Sequence, residues 1–290
     1  MMTRHLLVLF LLFTSTAFGQ QRPAKPLRAF LQAAPSPKGA VQYGNNPKAG
    51  HYAQAGDAKI YYEVYGKGRP FVLLHGGIYG STYEMGRFID SLSRTYQVIA
   101  VSTRGHGKSE LGTAPLTYEQ RATDVVAVLK AVTRDSAIVL GFSDGGFAGL
   151  KLASLYPERV RKLIVMGASE LYPGMRKFEF TPQQGFVLDS AYMRQQLALM
   201  PQPQRLAEHF TKVADFYNHL TVDKAVLGAI RCPVLLIAGD RDEGVSVQHA
   251  LNTAQLIPRS QLAIIPNAPH PAFLVNFEAV WYSIVPFLNQ

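Results

Sequence analysis

The chain has 290 residues, 48% of them apolar and 17% charged, enough to bury a large core and to exclude wholesale disorder. Its one cysteine, Cys232, excludes an intrachain disulfide and a cysteine-based structural zinc site. The formal net charge is +9, but residues 1–50 carry Arg4, Arg22, Lys25, Arg28, Lys38 and Lys48 with no Asp or Glu, which is +6 of it. The remaining residues show no basic stripe interleaved with aromatics, so no nucleic-acid partner is expected for the body.

In chain order, residues 1–19 read as a secretory signal peptide. Arg4 and His5 form a basic start, Leu6 to Phe13 an eight-residue apolar run, and Ala17-Phe18-Gly19 the small-residue approach to a cleavage before Gln20. That run is too short to span a bilayer, so a secreted or periplasmic protein with no stable membrane insertion after cleavage is expected. Residues 20–50 are rich in Pro, Gln, Lys, Ala and Gly. They read as a flexible basic linker with one helical turn near Leu27–Gln32.

From residue 51 short strands begin. Lys59–Tyr65 is β-branched and aromatic, and Gly66-Lys67-Gly68 ends it with a turn. Phe71–His75, Val98–Val101, Ala137–Leu140, Leu163–Met166, Val234–Ala238 and Leu262–Ile265 are continuous apolar runs, which suit strands buried on both faces of a parallel sheet. Between them lie helical patterns. Thr117 and Gln120 have capping-box spacing ahead of Ala122, Val125, Val126, Val128 and Leu129; Gly146–Tyr156 is a second helix; Phe273, Leu274, Phe277, Val280, Trp281 and Ile284 mark a C-terminal one. Alternating strands and helices predict a doubly wound α/β domain over residues 51–290. Residues 169–231 break the alternation: Leu206, Phe210, Val213, Tyr217 and Leu220 recur at helical spacing, so a helical insertion over the sheet is expected.

Gly141-Phe142-Ser143-Asp144-Gly145 follows a buried strand and opens a helix. A serine on such a sharp turn needs flanking glycines, because side chains would clash there. The turn exposes its hydroxyl at a helix N-terminus, where developing negative charge is favoured. A serine hydroxyl also needs a base. His270 lies in Pro266-Asn267-Ala268-Pro269-His270-Pro271, a loop after the last strand. His75 ends a buried strand, His106 lies in a Gly-rich loop, and His209, His219 and His249 fall in helical stretches, which suits them less. The imidazole needs an acid in turn. Asp240 and Asp242 both follow the Val234–Ala238 strand, Asp240 being able instead to hydrogen-bond the turn backbone; Glu170, after the Leu163–Met166 strand, is the third choice. The backbone N–H groups of Gly77, in His75-Gly76-Gly77, and of Asp144 are the candidate oxyanion donors. The Asp144 side chain starts at the pocket floor, where it either pairs with neighbouring groups or binds a cationic group of the substrate.

These residues together resemble the α/β-hydrolase superfamily over about residues 51–290. The resemblance is carried by Leu73–Gly77, Arg104-Gly105-His106-Gly107-Lys108-Ser109, the Ser143 elbow, Pro157-Glu158-Arg159-Val160, Gly239-Asp240-Arg241-Asp242 and the His270 loop. Its chain order of nucleophile, acid and base fits Ser143, Asp242 and His270. Its acid stands three residues past the glycine, which favours Asp242 over Asp240. It implies a mostly parallel eight-stranded sheet with a helical cap, matching residues 169–231. Gly141–Gly146 looks most like the elbow of valacyclovirase-like and biphenyl-hydrolase-like ester hydrolases. Ser102 stands where many members have Asp, which puts a local turn hydrogen bond in doubt.

The expectation is a secreted serine hydrolase of a small ester, lactone or thioester, with Ser143, His270 and Asp242 as triad, Gly77 and Asp144 as oxyanion donors, and no cofactor or metal. The alternatives are C–C bond or peptide cleavage by the same triad, and a non-catalytic ligand-binding protein on the same fold.

Overall fold

The computed structural model describes residues 26–32, 37, 39–175 and 177–290. The signal peptide expected over 1–19 lies outside them.

Among the described residues eight strands form one sheet: β1 (Gly50–Ala55), β2 (Ala58–Tyr65), β3 (Arg69–Leu74), β4 (Tyr96–Val101), β5 (Ala137–Phe142), β6 (Val160–Met166), β7 (Val234–Gly239) and β8 (Ser260–Ile265). Their spatial order is β1-β2-β4-β3-β5-β6-β7-β8. The pairs β1–β2 and β2–β4 are antiparallel, and every later pair is parallel. This is the expected doubly wound α/β sheet. The continuous apolar runs explain its centre: every residue of β5 and of β7 is buried, as strands covered on both faces must be. The edge strand β1 carries two exposed residues and then alternates, a pattern with no apolar run to announce it.

Helices cover both faces. On one, α2 (Tyr118–Val132) and α3 (Asp144–Leu155) pack Val125, Leu129 and Leu150 against Val72, Val139 and Val165. On the other, α1 (Gly86–Leu92) and the C-terminal α8 (Ala272–Val275) and α9 (Phe277–Leu288) pack Phe88, Phe273 and Ile284 against Leu73, Leu140 and Ile237. Each such fully buried side chain contributes about 1.5–3 kcal/mol. The Thr117 hydroxyl accepts the Gln120 N–H (3.0 Å), as its spacing predicts. The single C-terminal helix expected from Phe273 is two, because the Asn276 side chain accepts the Ala279 N–H (3.1 Å) and starts a new helix there.

Between β6 and β7 stand α4 (Pro182–Leu199), α5 (Leu206–His219) and α6 (Lys224–Gly228). A two-residue bridge, Leu171 N–H to Val222 O (3.1 Å) and Val222 N–H to Leu171 O (2.7 Å), closes the insertion at its base. Beyond it α6 packs Leu227 into the main core, as α5 does Val213 and Phe216. The remaining helix, α7 (Val247–Leu256), lies between β7 and β8.

The described part of the expected linker differs from a free spacer. The buried Glu63 carboxylate on β2 accepts the N–H groups of Gly44 (2.8 Å) and Asn46 (2.7 Å) and the hydroxyls of Tyr61 (2.8 Å) and Tyr65 (2.7 Å). A buried carboxylate needs such donors, and these seat residues 44–46 on the sheet edge. At Leu27–Gln32 there is a turn rather than a helix, with Leu31 at φ 57°.

Candidate active site

Ser143 sits between β5 and α3 with φ 50° and ψ −113°, a strained conformation for a residue with a Cβ. The Ser143 N–H donates to Met166 O (2.7 Å) and the Gly145 N–H to His75 O (3.1 Å). A Cβ at Gly141 would run into the Gly145 carbonyl, and one at Gly145 into the Leu74 carbonyl. The two glycines let strand and helix approach closely enough to make the turn.

The loop after β8 brings His270 to this serine: Nε2 lies 2.8 Å from Ser143 Oγ. His270 Nδ1 lies 2.9 Å from Asp242 Oδ2 and 3.0 Å from Oδ1. A carboxylate only accepts, so Nδ1 carries the proton and Nε2 is left to accept from Oγ. Asp242 has a fully buried side chain and takes two further donors, the N–H groups of Gly244 (2.6 Å) and Val245 (2.7 Å). Four contacts thus fix its orientation.

The competing carboxylates lie elsewhere. Asp240 Oδ1 accepts the Ala268 N–H (3.0 Å), and bonds from the Asn267 and Ala268 backbone hold its carboxyl below the usual range. It ties down the loop that presents His270. Glu170 Oε1 accepts from Asn252 Nδ2 (2.9 Å) on α7. His75 is buried, donates Nδ1–H to Gly76 O (2.6 Å) and accepts the Thr103 N–H at Nε2 (3.0 Å); burial pulls it down to about 4. Burial likewise lowers His106 and pulls His209 down to about 3. All three are neutral structural imidazoles. Ser102, in place of the Asp expected from the resemblance, pairs its hydroxyl with that of Thr82 (2.9 Å).

Ser143 and His270 open onto two cavities. The larger, about 450 Å³, is also lined by Gly77, Asp144, Phe147, Leu171 and Tyr217. Gly77 and Asp144, the predicted oxyanion donors, therefore share it with the serine. A Cβ at Gly77 would collide with the Tyr217 hydroxyl and crowd the Asp144 side chain, so glycine is required there. The second cavity, about 390 Å³, lies towards Glu84, Phe142 and Leu274.

The Asp144 carboxylate is buried between a hydroxyl and a cation. Its Oδ1 accepts from the Tyr118 hydroxyl (2.9 Å), and Arg121 Nη1 stands 3.1 Å from Oδ2. Both Arg121 and Asp144 have side chains that are 1% exposed. Burial works against the Arg121 charge, and the facing Asp144, together with Tyr217, Tyr118 and Asp124, more than offsets it. Of the two roles considered for Asp144, the one this geometry displays is pairing with neighbouring groups. Sequence reasoning missed Tyr118, Arg121, Tyr217 and Glu84. The one available signal was Tyr118 and Arg121 together in the first turn of α2, where a buried arginine is unexpected and needs a partner.

Arg104, quoted above for its loop, is fully buried and grips Asp124 with two bonds (2.8 and 2.7 Å) and Asp57 with one (2.7 Å). This holds the β4–α2 connection beneath the cap. Among the described residues no cluster of metal-ligating side chains occurs, and no helix is long and apolar enough to cross a membrane.

A family model described as the alpha/beta hydrolase fold matches residues 69–220. The chain belongs to this family. A putative carbamate hydrolase, RutD of Azorhizobium caulinodans, is 30% identical over 241 residues, covering 76% of this chain and 91% of the relative. The human serine hydrolase BPHL is 26% identical over 248 residues, covering 80% and 83%. Among solved structures, a serine hydrolase involved in carbazole degradation, CarC, superposes with a TM-score of 0.70 at 25% identity, over 83% of this chain and 98% of that one. The protein is thus a hydrolase of the α/β family, with the expected sheet.

Proposed function

We propose that this α/β hydrolase cleaves a small carboxylic ester, lactone or thioester through an acyl-enzyme. Ser143 Oγ attacks the carbonyl carbon as His270 Nε2 takes its proton. The backbone N–H groups of Gly77 and Asp144 hold the oxyanion, a contribution of roughly 3–4 kcal/mol for each donor. The tetrahedral species collapses, His270 passes the proton to the leaving group, and the acyl group stays on Ser143. Water, deprotonated by His270, then releases the acid and restores the serine. Asp242 fixes the imidazole tautomer and stabilises the imidazolium. The steps close on water alone.

The observation that carries this reading is the unbroken chain from Ser143 Oγ through His270 (2.8 Å) to Asp242 (2.9 Å), opening on the cavity that Gly77 and Asp144 also line. The test is labelling with a fluorophosphonate, followed by a panel of short esters, lactones and thioesters. An aryl carbamate belongs in the panel because the Azorhizobium relative is named for that bond. Ser143→Ala is expected to fold, to lose labelling and to turn over at background. Labelling that persists in the folded variant would move the nucleophile elsewhere. A non-catalytic binding protein would neither label nor cleave any member.

The same proposal places the protein outside the cytoplasm, on the strength of Arg4, the Leu6–Phe13 run and Ala17-Phe18-Gly19. N-terminal sequencing of the natural product is expected to begin at Gln20. A start at Met1 or Met2 would reject cleavage.

A further inference from the structure

The segment 26–32 precedes the hydrolase fold, and two of its residues border a cavity that the reacting groups share. Phe30 and Leu31 line the 390 Å³ cavity together with Tyr79, Phe142, Leu274 and Glu84, and the same cavity is bordered by Ser143 and His270. We propose that residues 26–32 are part of the active site: a strap that walls this cavity and reserves it for an uncharged, apolar, ring-sized half of the substrate. The proposal rests on the serine-hydrolase reading and adds which groups choose the substrate.

The strap is clasped, not merely near. Asp189, buried in α4, receives the Leu31 N–H at Oδ2 (2.9 Å) and an ion pair from Arg28 (2.9 Å). Its Oδ1 accepts the Tyr192 N–H (3.1 Å). The helix breaks at Asp189, with φ −152° and ψ 80°, and restarts with this residue as its cap. The kink therefore turns a carboxylate towards the strap while keeping it satisfied. Gln195, a turn further on, donates to Pro26 O (2.7 Å).

The strain in the strap points the same way. Leu31 holds φ 57°, which costs a branched residue energy unless its surroundings impose it. The Asp189 bond holds the backbone at this residue, and the leucine, 59% exposed, borders the mouth of the cavity. Phe30 stacks on Tyr79 with ring centroids 4.4 Å apart and meets Tyr192 edge-on at 5.4 Å. Tyr79 follows Gly77 by two residues, and the Tyr192 hydroxyl donates to Tyr79 O (2.7 Å). Strap, oxyanion loop and cap thus share one apolar cluster. Beside Ser143 and His270 the cavity walls are largely aromatic and aliphatic, and an anion would lose its hydration there without a cation to replace it.

The test uses Phe30→Ala, Leu31→Gly and Arg28→Met in the full chain. Leu31→Gly keeps the turn, since glycine takes that φ freely, and removes only the wall. Two ester series are compared: acetates of methyl, butyl, phenyl and naphthyl alcohols, and ethyl esters of acids from acetic to naphthoic. The variants are expected to lower kcat/KM about tenfold for the ring-bearing members of one series, through KM, while methyl acetate changes less than twofold. Unchanged ranking in both series, or a parallel loss in both, overturns the strap. A second arm needs no turnover: binding of 2-naphthol to Ser143→Ala, followed by its fluorescence. Phe30→Ala added to this protein is expected to weaken it about tenfold; an equal Kd, or no binding with the strap intact, overturns the proposal. Naphthol binding lost in the strap variants of an enzyme that cleaves no ester would instead sink the ester reading and keep the strap.

Discussion

On the sheet side of the reacting groups, each side chain hangs from the end of a strand: Ser143 after the buried β5, Asp242 after the buried β7 and His270 after the edge strand β8. On the opposite side, the walls come from the cap and the strap, and they are held by side chains of sequence-distant residues such as Arg28, Asp189 and Tyr192. The first side owes its geometry to backbone pairing and to glycines that permit close approach. The second owes it to contacts that a single substitution removes. Changes to the first are therefore expected to affect turnover of every substrate, and changes to the second to affect which substrate is accepted.

The largest expected effect is on the sheet side. Asp242→Asn keeps the shape but presents the wrong tautomer of His270, and kcat is expected to fall by about 10⁴ with KM little changed. Asp240→Asn touches only the anchor of the His270 loop, through Ala268, and is expected to act on stability, with kcat within about tenfold of wild type. Steady-state kinetics on variants of matched folded fraction checks both. The reverse ranking would make Asp240 the orienting acid and dissolve the distinction between orienting group and loop anchor.

The sheet side was also the legible side. Apolar runs announced the parallel strands, and the elbow, the proline-rich His270 loop and the two aspartates followed from what strand ends must carry. The edge strand β1 escaped because it has no apolar run, and the C-terminal helix was read as one because Asn276 looks ordinary until its side chain is seen to cap Ala279. The roof escaped for a deeper reason. Nothing local marks Arg28 and Asp189 as partners, since 161 positions separate them. Residues 44–46 looked like linker because their anchor, Glu63, is a carboxylate in a strand that reads as amphipathic. Pairing across such distances is tertiary information.

The next effect falls where the two sides meet. Arg121→Leu leaves the Asp144 carboxylate buried and unpaired, which is expected to cost about 3–5 kcal/mol in urea unfolding. Adding Asp144→Asn is expected to recover most of that loss, because the orphaned charge goes with it. No recovery would mean that Arg121 acts through packing on Phe216, whose ring centroid lies 5.4 Å from its guanidinium carbon. The same pairing predicts that Asp144→Asn leaves unchanged the ratio of kcat/KM for an α-amino ester and its des-amino analogue. A several-fold shift in that ratio would assign Asp144 a cation-binding role.

The smallest effect concerns Glu84, which belongs to both sides: it borders the strap cavity and accepts the Gly76 N–H (2.7 Å) at the root of the oxyanion loop. Burial raises its carboxyl from the ordinary 4.5 to about 7, against the pull of the Gly76 and Ser81 backbone bonds. The native state therefore keeps a proton that the unfolded chain releases between those two values. Folding is favoured by this group as pH falls from above 7 towards 4.5, and that benefit is lost as pH rises through 7. Glu84→Gln cannot ionise, yet its amide oxygen can still take the Gly76 N–H. Relative to wild type, the variant is expected to gain about 2 °C or more in Tm on going from pH 5 to pH 8, while kcat for methyl acetate stays within about threefold. A difference in Tm that is flat across this range would show that Glu84 titrates as an ordinary carboxyl. A large fall in kcat at unchanged stability would show that the charge itself, not the bond to Gly76, sets the loop.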